Sequence, residues 1–151
     1  MDIPKIDVEL INFFKRISMP LARFSIFLIF FWFGLLKVLG FSPASGLVKD
    51  LLAHTIPFMA PDTFVILFGA FEVLIGILFL VPGLERLVIP LLLFHMGMTV
   101  MPLFMLPTIT WTAPFVPTLE GQYIIKNIVI VAVAISIVAH LRPIGRKDEN
   151  I

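Results

Sequence analysis

Between Thr63 and Val81 the chain reads TFVILFGAFEVLIGILFLV, an apolar run broken by a single charge, Glu72. As a helix rising ~1.5 Å per residue, a run of that length reaches across the ~30 Å hydrocarbon core of a bilayer. Lipid-facing β-strands would instead alternate apolar and polar residues over segments of about ten. Further apolar runs occupy about 19–39, 87–106 and 123–141. The expected fold is all-α: a polytopic membrane four-helix bundle, forming a single domain over 1–151.

Composition points the same way. The 151 residues are 60% hydrophobic and 14% charged, with a mean hydropathy of +1.08. Soluble domains run at roughly 45–50% apolar and about 25% charged. A chain this short has too little interior to hide the excess from water. Disorder needs the opposite composition. A net charge of +1 gives no basic footprint for nucleic acid. The chain has no cysteine, which excludes disulfides, thiolate-held iron–sulfur clusters and thiol–disulfide chemistry, and with them the four-helix quinone-linked thiol oxidoreductases. His54, His95 and His140 lack ligand spacing, so no metal site is assigned.

Ahead of the first span, Ile6, Leu10, Phe13, Phe14 and Ile17 recur at helical spacing among Lys5, Asp7, Glu9, Lys15 and Arg16. That pattern predicts a short interfacial helix over about 5–17, lying on the membrane surface. The first span is too long for a signal-peptide core and reads as uncleaved. Residues 40–63 form a loop with a short amphipathic helix from Ser45 to His54. Pro90 and Pro102 are expected to bend the third span. Residues 107–122 read as a loop of Pro, Thr and aromatic residues. Lys5, Lys15, Arg16, Arg86, Arg142, Arg146 and Lys147 flank one side of the bundle, and the positive-inside rule places both termini in the cytoplasm. Trp111 and Tyr123 then fall at the outer interface.

The charges within the spans carry the functional signal, because an ionisable group at bilayer depth costs roughly 2.5–3.5 kcal/mol by insertion scales. At 100° per residue, Lys37 shares a face with Gly34 and lies about 40° from Arg23. Gly69, Glu72 and Gly76 share a face of the second span, and His95 and Thr99 one of the third. Glu72 and His95 lie roughly 13–17 Å from the outer span ends. Glu72 is too deep to snorkel, so it must be neutral or paired. Lys37 is the expected partner, within direct or one-water reach, with His95 or Lys126 completing the group. Lys37 and Lys126 also sit where lysines snorkel, and Arg23 where an arginine anchors to headgroup phosphates. The candidate ligand-binding site or buried polar network is therefore Lys37, Glu72, His95 and Lys126 with Gly34, Gly69 and Gly76. No catalytic residue is assigned.

Two stretches carry a family resemblance. Phe31-Trp32-Phe33-Gly34-Leu35-Leu36-Lys37, followed by Gly40-Phe41-Ser42-Pro43, resembles the first-span signature of the DoxX-like superfamily, and within it the YkgB-type branch. Gly69-Ala70-Phe71-Glu72-Val73-Leu74-Ile75-Gly76 resembles the glutamate-plus-glycine pattern of that family's second span. The resemblance covers all four spans in order and spacing, and Gly34, Lys37, Glu72 and Gly76 are the positions it carries across. It implies a four-helix protein of the bacterial cytoplasmic (inner) membrane. Within the family, one group forms the small subunit of a thiosulfate:quinone oxidoreductase, others are linked to oxidative or chlorine stress, and a distant eukaryotic relative is an assembly chaperone for neurotransmitter-gated channels. Fold alone transfers none of these roles.

Three functions follow as expectations. The first is a non-catalytic, stress-linked module that binds a small hydrophobic or anionic ligand or a partner protein. The second is the membrane subunit of a quinone-linked oxidoreductase. Without cysteine, its redox chemistry would rest on a bound quinone or a redox partner's cofactor, with Lys37, Lys126 or His95 donating to quinone carbonyls. The third is a proton-coupled transporter with Glu72 as the protonatable group. Four spans without an inverted repeat would then call for a homo-oligomer.

Overall fold

The computed structural model describes residues 3–141. Its elements in chain order are α1 (Ile3–Val38), α2 (Ser45–Thr55), α3 (Pro61–Leu80), α4 (Glu85–Val100), α5 (Pro102–Met105), α6 (Pro107–Thr110), a two-stranded antiparallel ribbon of β1 (Trp111–Ala113) and β2 (Val116–Pro117), α7 (Leu119–Lys126) and α8 (Ile128–Ala139). Four stretches are long and apolar enough to cross a bilayer: Ile3–Val38, Pro61–Leu80, Glu85–Met105 and Leu119–Ala139. The chain is an all-α membrane protein whose exposed apolar helices contact the lipid bilayer.

The N-terminal segment departs from expectation. Residues 5–17 do not form a separate helix but are continuous with the first span in one helix of 36 residues, with Pro20 inside it. Proline removes one backbone hydrogen bond. The flanking Met19, Leu21, Ala22 and Arg23 are all good helix formers, so the helix runs on. At 1.5 Å per residue α1 is about 54 Å long, well beyond the ~30 Å of hydrocarbon. Residues 3–16 are all exposed, and this first part extends past the packed bundle.

α3 opens with Pro61 at its first position and Asp62 in the first turn, where a missing N–H and a negative charge both suit a helix start. It ends before Pro82-Gly83, and Gly83 takes a φ of +93° that glycine adopts without strain. Pro90 is accommodated inside α4, whereas Pro102 closes one helical segment and opens another. The fourth span begins at Leu119, earlier than expected, and changes segment at Asn127. Residues 107–118 are ordered as α6 and the ribbon rather than an irregular loop, because their threonines cap and brace the backbone. Thr118, for example, accepts from the Gly121 N–H at 3.2 Å as the α7 N-cap.

α1 and α3 form the principal packing of the bundle. Their residues meet in reversed order, Gly34 against Gly69 and Val73, and Gly76 against Phe27 and Phe31, so the two helices are antiparallel. The apolar core is built from Ile26 and Phe30 of α1, Ile75 and Phe79 of α3, Val88, Ile89, Leu92 and Met96 of α4, and Ile130, Ala134 and Ile137 of α8. Lipid tails are as apolar as leucine, so apolar area alone does not drive helices together in a bilayer. Close packing, small residues and interhelical hydrogen bonds must do so. The contacts that position the site are of that kind.

Candidate functional site: a buried lysine–glutamate–histidine cluster

Gly34, Gly69 and Gly76 let α1 and α3 approach to backbone contact. A Cβ on Gly34 would stand 2.6 Å from the Gly69 carbonyl oxygen and 2.8 Å from the Val73 nitrogen. A Cβ on Gly69 would stand 2.6 Å from Lys37 Cβ and 2.7 Å from the Gly34 carbonyl oxygen. At Gly76 the nearest atom is the Phe31 nitrogen, at 2.8 Å. Lys37 follows Gly34 by three residues, and Glu72 follows Gly69 by three. Because the helices are antiparallel, Lys37 packs on Gly69 and Glu72 packs on Gly34, and the long lysine side chain spans the turn between them to reach the carboxylate.

Lys37 Nζ donates to Glu72 Oε2 at 2.6 Å, and His95 Nε2 lies 3.0 Å from Glu72 Oε1. The expected Lys37–Glu72 pairing is a direct hydrogen-bonded ion pair, and His95 completes the group. Lys37 is 6% exposed, Glu72 6% and His95 3%. Among the described residues, no buried side-chain nitrogen or oxygen lacks a hydrogen-bond partner. Because a carboxylate oxygen accepts, Nε2 carries the proton and a neutral His95 is the Nε2–H tautomer. Thr99 Oγ1 donates to the His95 carbonyl oxygen at 2.9 Å and lies 3.4 Å from Nδ1.

Aromatic rings enclose it. Phe68 stacks on His95 with centroids 4.7 Å apart, and Phe30 meets the same ring edge-on at 5.1 Å. Phe71 lies 6.1 Å away, and Lys37 Nζ sits 5.8 Å from the Phe68 centroid. These rings exclude water and lower the local dielectric, which strengthens the electrostatics of the pair and raises the loss if one partner is removed. The Phe-rich first span thus contributes one wall of the site as well as lipid-facing surface.

Lys126 stands apart. It is exposed, and its Nζ lies 5.5 Å over the Tyr123 ring, a cation–π contact that a long side chain at a span end makes readily. Both Glu72 oxygens are already taken by Lys37 and His95. His54 and His140 each bond a backbone carbonyl one turn earlier, those of Asp50 and Ser136, and do not join the cluster.

A second ion pair emerges that sequence reading did not identify. Arg23 of α1 donates to Glu85 at the start of α4, and the Glu85 side chain is buried. Arg23 is therefore engaged by a protein carboxylate rather than reserved for lipid phosphate. Arg23 and Lys37 are fourteen residues apart, about 21 Å along α1. One helix thus carries a cation toward each end of the core, each held by a carboxylate on a different helix. The signal was present in Glu85, but an acid just after a Pro-Gly turn is ordinary at a span end.

Two surface hollows lie away from the cluster. One, of about 270 Å³, runs between α1 and α8 and is lined by Ser18, Ala22, Ala132 and His140 among others. The other, of about 510 Å³, lies along Pro107 to Phe115. Among the described residues no group of three or more His, Cys, Asp or Glu is placed to hold a metal ion. Family models, curated proteins and solved structures give no match to this chain.

Proposed function

We propose that this chain is a DoxX-like protein of the bacterial inner membrane that works as a non-catalytic module, binding a small anionic or hydrophobic carbonyl-bearing ligand at Lys37. The carrying observation is the state of the Lys37 ammonium. It is buried, fixed by Glu72 and flanked by Phe68. An ammonium has three N–H donors, and among the described residues Glu72 is the only hydrogen-bond partner of this one. The remaining donors suit an anion or a carbonyl, and the aromatic wall suits an apolar body. No nucleophile–base pair accompanies them, which favours binding over turnover.

A second reading shares this chemistry. Quinone carbonyls need donors inside an apolar slot, and the Lys37 ammonium stands beside Phe68, whose ring stacks on His95. Membrane subunits of quinone-linked oxidoreductases use such a setting, with the electrons supplied by a partner protein. Titration of the purified protein in nanodiscs with a short-chain quinone and, separately, with thiosulfate separates the two. Saturable binding of thiosulfate alone favours the anion module. Saturable quinone binding favours the redox subunit. Glu72→Gln should keep the fold, by circular dichroism and gel filtration, and weaken either ligand, because the ammonium is no longer held in place. Retention of full affinity in Glu72→Gln would remove the cluster from the function.

The same proposal puts both termini in the cytoplasm. Lys5, Lys15, Arg16 and Arg86 gather at the Arg23 end of the bundle. At the opposite end Lys37 is buried, Lys49 is paired with Asp62 and Lys126 lies over the Tyr123 ring, so fewer basic residues gather there. The basic residues at 142, 146 and 147 lie outside the described residues and add to the same side by sequence. The chain has no cysteine, so Asp62→Cys and Lys147→Cys each give a single label site. A membrane-impermeant maleimide should modify position 62, whose side chain is 85% exposed, from outside the cell, and position 147 only after the cells are opened. The reverse pattern would invert the topology.

A further inference from the structure

We infer that the β1–β2 ribbon is a membrane-inserting element, its Pro114-Phe115 tip seated at the acyl-chain boundary of the bilayer leaflet at the Lys37 end of the bundle. The partner is lipid. Four observations lead there.

The first is charge. From Leu87 to Leu119 the sequence contains no Asp, Glu, Lys or Arg. That interval includes the whole connection between the third and fourth spans. A connection that sits in water has no reason to exclude every charge, whereas one that enters lipid must.

The second is hydrogen bonding. Side chains around the ribbon turn their donors inward to the backbone. Thr110 Oγ1 donates to the Leu106 carbonyl oxygen at 3.0 Å, Trp111 Nε1 to that of Leu103 at 2.9 Å, Thr112 Oγ1 to that of Val116 at 3.0 Å and Thr118 Oγ1 to that of Ile109 at 2.8 Å. Inside a bilayer, polar groups must be satisfied by the protein itself because water is absent. These four side-chain donors already meet that condition, and a tip at the acyl-chain boundary leaves the ribbon's open edges beside headgroups.

The third is the tip. Phe115 is 94% exposed and holds a φ of +61°, in the left-handed region that a bulky side chain rarely adopts. The fold therefore keeps a strained backbone in order to hold an aromatic ring away from the protein. In water that arrangement loses on both counts, while in lipid the ring is removed from water.

The fourth is continuity. The bond from Trp111 to the Leu103 carbonyl ties the ribbon to α5, whose Phe104 is 79% exposed. The apolar surface thus runs without a charged residue from the lipid-facing side of α4 and α5 into the ribbon.

The test uses spin labels in the full chain, reconstituted into nanodiscs of phosphatidylethanolamine and phosphatidylglycerol. Phe115→Cys reports the tip and Val116→Cys, also exposed, provides a second reporter if the first disturbs folding. Phe94→Cys on α4 is the lipid reference and Asp62→Cys, whose side chain is 85% exposed at the start of α3, the aqueous one. Relaxation by oxygen against relaxation by a water-soluble nickel chelate gives a depth parameter. The expected result is that positions 115 and 116 share the sign found at 94, opposite to that at 62. A sign matching position 62 at both ribbon positions would overturn the inference. So would shielding from both reagents, which would show that another protein, or a second copy of this chain, covers the ribbon.

Discussion

Lys37→Met should lower the unfolding free energy of the bundle by about 3–5 kcal/mol, the range for breaking a buried ion pair by removing one partner. Methionine approximates the length and apolar stem of lysine, so packing against Phe68 survives and the loss reports on charge. What remains is the Glu72 carboxylate, 6% exposed, with His95 on one oxygen and nothing on the other. A surface ion pair would give a different answer, since exposed pairs contribute only about 0–1 kcal/mol. Reversible unfolding by SDS in mixed micelles measures the difference. Lys37→Met/Glu72→Gln should return part of the loss. The glutamine oxygen can still accept from His95, and the uncompensated charge is gone. Groups in direct contact show coupling energies of about 0.5–3 kcal/mol in such cycles. Additive single mutants would mean that Lys37 and Glu72 do not interact energetically, whatever their distance.

This pairing could be foreseen because two strong constraints converge on it. Glu72 interrupts an apolar run at a depth where a lone carboxylate is costly, and helical periodicity puts Gly69 and Gly76 on its face and Gly34 on that of Lys37. Desolvation says that a partner must exist, and geometry leaves few. The same reasoning identified His95 but could not separate it from Lys126, because a lysine side chain is long enough to point either way along its helix. Tyr123, three residues before Lys126, decides the matter by offering its ring face to the ammonium.

Arg23–Glu85 escaped for the opposite reason. Each residue lies near a span end, where water or headgroups satisfy a charge without help, so nothing in the sequence demanded a partner. The boundary expected between residues 17 and 19 follows a change of composition, from mixed charge to apolar, yet a helix can cross such a change unbroken. Composition reports the solvent around a helix, not its hydrogen bonds. The ribbon was illegible because strands of three and two residues are too short to show a period. Its order comes from threonine side chains bonding to carbonyls several residues away, a pattern that spacing alone does not reveal.

The glycines provide the second large effect, and they contain their own control. Gly69→Ala adds one methyl group where its nearest neighbours are Lys37 Cβ at 2.6 Å and the Gly34 carbonyl oxygen at 2.7 Å. Neither atom belongs to the free end of a flexible side chain, so α1 and α3 must separate. Overpacking of this kind costs about 1–3 kcal/mol, and backbone-limited contact belongs at the upper end. Separation also stretches the Lys37–Glu72 contact, because Lys37 itself packs on Gly69. Against this, alanine is the better helix former by about 0.8–1.0 kcal/mol. Gly97→Ala, inside α4, meets no atom within 4 Å and should collect only the helix-propensity gain. Two chemically identical substitutions should therefore differ by about 3 kcal/mol, with opposite signs, in SDS unfolding. Gly34→Ala should follow Gly69→Ala, because its Cβ would meet the Gly69 oxygen and the Val73 nitrogen. If Gly69→Ala and Gly97→Ala shift stability alike, the α1–α3 seam does not hold the helices at backbone contact. The Lys37–Glu72–His95 cluster would then lose the scaffold that aligns it.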